Sequence, residues 1–120
     1  MEFNFERLEV WRLSMDFVEA VYTLSRKYPE EEKFALTSQL RRSATSISLN
    51  ISEGSMRGKR EFGRFIRIAL GSLVETVTNL KIAIRLGYIG GNDYGELEPS
   101  IEKLYFKLVA LEKSLGGGDG

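Results

Sequence analysis

The chain contains neither cysteine nor histidine among its 120 residues, and it has only two prolines and one tryptophan. Without cysteine, disulfides, thiolate nucleophiles and zinc–cysteine sites are excluded. Without histidine, the chain lacks the commonest general base and the commonest metal ligand. The di-iron site of helical bundles, which uses Glu-x-x-His motifs, is excluded in its usual form. We therefore expect no enzymatic activity, no cofactor, no metal site and no small-molecule substrate.

Long apolar segments are also absent. No apolar run approaches the ~20 residues needed to cross a bilayer. The N-terminal stretch MEFNFERLEVWRL carries early acidic residues and no apolar core, so we expect no signal peptide. No phosphate-binding GxxxxGK[ST] run occurs either. These features favour a cytoplasmic protein with no membrane partner.

Apolar residues recur every three or four positions in four segments, which predicts four amphipathic helices. The predicted bounds are, in chain order, Phe5–Lys27, Glu31 or Phe34 to Glu53, Lys59–Leu86, and Asn92, Asp93 or Glu98 to Leu115. The start of the last helix depends on Pro99, which fits best in a first helical turn and otherwise kinks the helix. Short links predict an all-α, up-down-up-down antiparallel four-helix bundle over residues 1–115. The glycine-rich tail, residues 116–120, is predicted to be flexible.

Glycines mark the ends and one interior position of these helices. Gly54 is predicted to stop the second helix and Gly87 the third. Gly58 stands three residues before Glu61, which resembles a capping box with glycine in place of serine or threonine. Gly71 lies in mid-helix, where glycine costs ~1 kcal/mol relative to alanine. Close packing against a neighbour is the expected reason for it.

Two of the predicted helices carry wide apolar faces. In the first helix, Met15 and Tyr22 belong to a second apolar row that widens the buried face. The third helix exceeds the roughly three apolar positions per heptad that a monomeric bundle needs. Its surplus, which includes Phe65 and Ile68, favours self-association with these residues at a subunit interface. The alternative is that the third helix is the most central one.

A polar row runs along the second helix, roughly 100° from its core row. Its members are Gln39, Ser43, Ser46, Asn50 and Glu53. One interpretation is a solvated or half-solvated face. The other is a hydrogen-bonded seam with another helix or subunit.

Positive charge is concentrated between residues 41 and 67, where seven basic and two acidic side chains occur in a chain of zero net charge. The seven basic residues are Arg41, Arg42, Arg57, Lys59, Arg60, Arg64 and Arg67. Arg60, Arg64 and Arg67 share one face of the third helix. The set predicts a basic corner that neutralises the phosphates of RNA. The alternative is a solvated surface, or ion pairs across subunits.

Four stretches together identify a family resemblance: LEVW near the N-terminus, LTSQLRRSATSISLNISEGS at 36–55, EFGRFIRIALGSLVET at 61–76 and RLGYI at 85–89. The chain resembles the 23S rRNA-intervening sequence proteins, bacterial four-helix-bundle proteins. The resemblance implies a ring-like homopentamer, RNA or a ribonucleoprotein as partner, and no enzymatic activity. The family usually has proline at the position of Leu49, alanine at Ser52 and serine at Gly58.

A related branch of that family supplies the alternative function. Its members, the accessory variability determinants of diversity-generating retroelements, form similar pentamers that bind a reverse transcriptase and nucleic acid. For this chain, the likeness implies a protein-interaction scaffold. Those relatives are strongly basic, whereas this chain is neutral, so RNA binding is the first expectation.

Overall fold

The computed structural model describes residues 1–116 of the chain, and these residues form four α-helices and no strand. The helices are α1 (Glu9–Ser25), α2 (Leu36–Ser55), α3 (Lys59–Arg85) and α4 (Gly91–Ser114), and short 3-10 turns lie at Asn4–Arg7 and Glu30–Glu32. The predicted all-α class is therefore confirmed. Residues 117–120 of the predicted flexible tail lie outside the described residues.

The helices pack side by side in the cyclic order α1–α2–α3–α4, with α4 returning to α1. Within the described residues, the backbones of the diagonal pairs α1–α3 and α2–α4 make no contact. Neighbouring helices run antiparallel. Between α1 and α2, Ser14 meets Ser48 and Ser25 meets Arg41, and the paired contacts between the other neighbours run in the same opposed sense. This is the cyclic order expected of a four-helix bundle.

The core lies on the shared axis of the four helices and draws on all of them. Its fully buried large side chains include Phe17, Val21, Leu40, Ile47, Ile51, Ile66, Leu73, Leu80, Leu104 and Leu108. They recur at the helical spacing that the sequence predicts. Met15 and Tyr22 are exposed instead of buried, so the predicted second apolar row of α1 is only partly covered within one chain.

Three helix starts differ from the prediction. α2 begins at Leu36 and not at Glu31 or Phe34, because a 3-10 turn forms at Glu30–Glu32. α1 begins at Glu9 and not at Phe5, because Leu8 is extended (φ −72°, ψ 131°) after the 3-10 turn. α4 begins at Gly91, and Gly90 precedes it as the N-cap. The Asp93 carboxylate accepts a hydrogen bond from the Gly90 backbone N–H at 2.8 Å, which secures the first turn.

Pro99 lies inside α4 and not in its first turn, so the predicted start near Glu98 is wrong. Proline has no N–H to donate to the carbonyl four residues earlier, which here belongs to Gly95. Both residues are exposed, so water can serve that carbonyl.

Gly54 lies within the last turn of α2, one residue before its end, and it is not a left-handed glycine cap. The helix continues to Ser55, and Met56 after it keeps right-handed backbone angles. A Cβ built on Gly54 would lie 2.5 Å from the Phe65 Cβ. Glycine is therefore needed here because α2 and α3 approach closely, and this contact fixes the corner between them.

The other predicted glycine roles have different outcomes. Gly87 has φ +79° and follows the last residues of α3, as predicted for a helix stop. The predicted capping box at Gly58 does not form, because the Glu61 carboxylate binds Arg64 instead. Gly71 is exposed, and a Cβ there would meet nothing within 4 Å. The predicted close packing at Gly71 is therefore wrong within the single chain.

Candidate nucleic-acid interface

The basic corner is the surface around the turn from α2 to α3, and it comprises Arg57, Lys59, Arg60, Arg64 and Arg67. All five side chains are exposed. The corner also holds the N-terminus of α3, whose N-cap residue has no side chain to accept hydrogen bonds. The first backbone N–H groups of α3 therefore remain available to an anion, and the helix dipole favours negative charge at this point.

Three of these five cations already have carboxylate partners. Arg57 lies 3.3 Å from Glu53, and Arg64 lies 3.1 Å from Glu61. Arg67 reaches across to α4 and binds Glu112 at 3.0 Å. The arginines of these pairs are half-exposed, and exposed ion pairs contribute little to stability. A phosphate can therefore compete for the guanidinium groups.

Lys59 and Arg60 are the two corner cations that form no ion pair within residues 1–116. Both stand in the first turn of α3, beside its free N–H groups. Hydrogen bonds from Arg64 lower the pKa of Glu61, and the charges of Arg57 and Arg60 act in the same direction. Glu61 therefore stays ionised. Its one negative charge offsets only part of the positive charge around Lys59 and Arg60.

The Phe65 ring contacts two arginines of the basic corner. Its ring is buried and lies 5.1 Å from each of the guanidinium carbons of Arg57 and Arg64. Cation–π contacts of this kind hold both arginines above one ring. Ile68, one turn further along α3, is 41% exposed.

Arg41 and Arg42 do not belong to the corner. They lie in the first half of α2, about 20 Å along the helix from its end at 1.5 Å per residue. Arg41 donates a hydrogen bond from Nε to Ser25 Oγ at 2.9 Å, and its guanidinium lies 4.7 Å from the Tyr22 ring. The structure therefore divides the seven predicted basic residues into a group of five and a separate pair.

The pair lines a groove with Lys33 and Phe34, which the sequence did not single out. Arg41 and Arg42 stand seven and eight residues after Phe34, which is helical spacing, whereas Tyr22, which also lines the groove, comes from α1. The available signal was Phe34 itself, an aromatic residue beside a lysine near the start of a predicted helix.

The polar row of α2 divides between two environments. Ser43 Oγ lies 2.7 Å from Thr76 Oγ1, and Ser46 Oγ lies 2.9 Å from Ser72 Oγ, so both serines contact α3 of the same chain. Asn50 donates hydrogen bonds to Ser46. Gln39 and Glu53 are exposed. Part of the row is thus a seam within the chain and part faces solvent.

The arrangement of the carboxylates bears on metal binding, and the polarity of the helices bears on membrane insertion. Among residues 1–116, no group of three or more carboxylate side chains is placed to hold a metal ion. Glu53 and Glu75, which both lie on helices of the core, are exposed. In the same part of the chain, no helix is both long and apolar enough to cross a membrane.

Residues 6–110 match the model of the 23S rRNA-intervening sequence protein family. The chain belongs to this family. The match covers α1, α2, α3 and most of α4, and it therefore confirms the resemblance read from the four stretches. No curated protein sequence matches the chain significantly.

A crystal structure from Bacteroides thetaiotaomicron is similar to the chain in fold. It is described as a protein of unknown function from the S23 ribosomal protein family. The two share 27% sequence identity over 87% of this chain and 98% of that one, with a TM-score of 0.78. Family and fold are thereby shown, while neither name states what this chain binds.

Proposed function

We propose that this protein is a non-enzymatic RNA-binding protein whose basic corner contacts the phosphates of structured RNA or of a ribonucleoprotein. The observation that carries the proposal is the clustering of five exposed cations around the N-terminus of α3. Phosphate contacts by basic side chains supply most of the affinity of non-specific nucleic-acid binding. The lack of histidine and cysteine supports a role in binding rather than catalysis.

A salt series with a stem-loop RNA tests this proposal. Affinity measured by filter binding between about 50 and 200 mM KCl should fall linearly on a double-logarithmic plot. In a Lys59→Ala/Arg60→Ala variant, the slope should become shallower by about one for each phosphate that is no longer neutralised. Arg85→Ala is the matched control, since Arg85 is an exposed cation at the far end of α3. No detectable binding, or an affinity independent of salt, would contradict the proposal.

We further propose that the protein acts as a homo-oligomer, a pentamer as the family resemblance implies. Support comes from apolar side chains that remain exposed on α3 and α4: Ile68, Val74, Tyr105 and Phe106. Monomers rarely expose large contiguous apolar patches. Repetition of the basic corner around an assembly would raise the affinity for RNA through avidity.

A protein-interaction scaffold, with a reverse transcriptase as the model partner, is the second candidate. The observation that favours it is an apolar groove of about 280 Å³ between α3 and α4, which includes Val74, Tyr105 and Phe106. A partner that stays bound after nuclease treatment, but does not bind a Phe106→Ala variant, would favour this function over RNA binding.

A further inference from the structure

A second basic surface lies where the end of α1 meets the segment before α2. It is a groove of about 400 Å³, and its lining includes Tyr22, Lys33, Phe34, Arg41 and Arg42. Three cations line this groove and no acidic residue does, although Lys33 Nζ lies 3.8 Å from Glu30 beside it. The groove therefore attracts anions independently of the basic corner.

Phe34 is the feature that distinguishes this groove from an ordinary basic patch. Its side chain is 90% exposed, and Lys33 Nζ lies 5.6 Å from the ring centroid. The ring therefore offers an open face to a ligand. Aromatic rings beside a basic groove bind single-stranded nucleic acid by stacking on its bases.

Arg41 is held in position before any ligand arrives. Its Nε donates to Ser25 Oγ at 2.9 Å, and its guanidinium lies 4.7 Å from the Tyr22 ring. Within the described residues, its terminal N–H groups donate no further hydrogen bond. A guanidinium fixed in this way can bind two phosphate oxygens with little loss of side-chain freedom.

Thr37 independently indicates that the groove is suited to a polar ligand. The residue is only 7% exposed and lines the groove. Its Oγ1 is the one buried side-chain oxygen or nitrogen in residues 1–116 that has no hydrogen-bond partner. Threonine in a helix has two accessible χ1 rotamers, and a ligand in the groove that reached this hydroxyl would supply the partner that it lacks.

We propose that this groove binds a nucleotide unit, with its base stacked on Phe34 and its phosphate held by Arg41 and Arg42. Single-stranded RNA is the favoured source, because unstacked bases are free to stack on protein rings. An acidic peptide would use the cations but would leave the Phe34 ring exposed to water. The proposal goes beyond the basic corner, which lies about 20 Å away along α2.

Fluorescence anisotropy with a labelled oligouridine octanucleotide tests the groove. Phe34→Ala should weaken binding about fivefold or more, which is the expected loss of one base–aromatic stack. Arg42→Ala should make the salt dependence shallower by about 0.7 for its phosphate. Because Phe34 and Arg42 are exposed, neither change should disturb the fold.

Matched controls and competitors decide the interpretation. Phe3→Ala and Arg85→Ala remove an exposed phenylalanine and an exposed arginine elsewhere and should leave binding unchanged. Lys59→Ala/Arg60→Ala should retain oligouridine affinity even if it no longer binds the stem-loop RNA, which separates the groove from the corner. Competition by uridine monophosphate would show that one nucleotide suffices. If the unlabelled octanucleotide competes but uridine monophosphate does not, a strand longer than one nucleotide is required. Both results support the groove.

Three results would overturn the proposal. The first is no binding of the octanucleotide by the unaltered protein, and the second is equal binding by Phe34→Ala. The third is displacement of the octanucleotide by an octaglutamate peptide at equal concentration, since a general anion surface would then explain the binding. Light scattering of Phe34→Ala adds a further check. A lower mass together with unchanged octanucleotide binding would show that Phe34 contacts another copy of the chain and not a base.

Discussion

At the scale of single residues, two helical glycines have opposite surroundings. Gly54 faces Phe65 at a distance that leaves no room for a Cβ, whereas Gly71 faces open space. The sequence marks both positions in the same way, because glycine in a helix shows only that a side chain is missing. Only the packing of α2 against α3 separates the two roles.

Gly54→Ala should destabilise the protein by about 1–3 kcal/mol, because its methyl group must displace Phe65 or separate the two helices. Gly71→Ala is the matched control, and it should stabilise the protein by about 0.5–1 kcal/mol through helix propensity. Urea denaturation followed by circular dichroism measures both. A destabilised Gly71→Ala would show that Gly71 is covered by another subunit.

Asp93 predicts a pH dependence of stability. A hydrogen bond from Lys27 and one from the Gly90 N–H lower the pKa of Asp93. Since the folded pKa is depressed, the contribution to stability is present above the ordinary pKa of aspartate, about 3.9. It is lost as the pH falls through the folded value.

Asp93→Asn should therefore lower the urea midpoint at pH 7, and the difference from the unaltered protein should narrow below about pH 4. Asp16→Asn is the control, because Asp16 is exposed on α1 and forms no ion pair within the described residues. An Asp93→Asn difference that stays constant through acid pH would contradict this account.

At the scale of helices, α2 is unusual because hydroxyl groups join it to both neighbours. Ser48 meets Ser14 of α1, and Ser43 meets Thr76 of α3. Each hydroxyl has one proton, so either Ser43 or Thr76 donates across to the other helix while its partner donates to a carbonyl of its own helix, at Leu40 or Ser72. Small side chains let the helices approach, and the hydroxyl pairs satisfy polar atoms that would otherwise be buried without partners.

A double-mutant cycle tests this seam. Ser43→Ala and Thr76→Val should each cost about 1 kcal/mol or more, because each removes the buried hydrogen bond that the two hydroxyls share. The double variant should cost less than the sum, by about 0.5–1.5 kcal/mol, since the two side chains share that bond. Thr78→Val is the control, because Thr78 is exposed and binds only the Val74 carbonyl. Strict additivity would contradict the seam.

The helices and their core faces could be predicted from the sequence because periodic burial leaves a periodic pattern. The helix ends were predicted less well. Gly54 has the residue type of a stop but serves close packing, and Pro99 is tolerated inside α4 because the exposed Gly95 carbonyl can bind water. The close packing at Gly54 and the water access at Gly95 both depend on neighbouring groups, which the sequence does not place.

The candidate site, like the helices, could be predicted from the sequence only in part. Arg60, Arg64 and Arg67 could be placed together because their spacing alone sets one helix face. Arg41 and Arg42 are close to the corner in sequence but lie about 20 Å from it along α2. Their groove also includes Tyr22 of α1, which only the tertiary fold brings to them.

At the scale of the molecule, the exposed apolar side chains of α3 and α4 should determine assembly. Val74 is 56% exposed and Phe106 is 65% exposed. Light scattering of the unaltered protein should give a multiple of the 13.6 kDa protomer mass. Val74→Glu should lower the mass, because it places a charge in the apolar contact. Ser100→Glu, at an exposed position of α4, should leave the mass unchanged. A monomeric unaltered protein would contradict the assembly.

Pro99 also has a consequence for motion within the molecule. The first turns of α4 contain Gly91, Gly95 and Pro99, so this stretch combines weak helix formers with one missing backbone bond. Amide protons ahead of the proline should exchange with deuterium through local fraying, whereas those near the buried Leu104 and Leu108 should exchange only when the whole fold opens. The fourth helix therefore should unravel from its beginning while its second half stays docked.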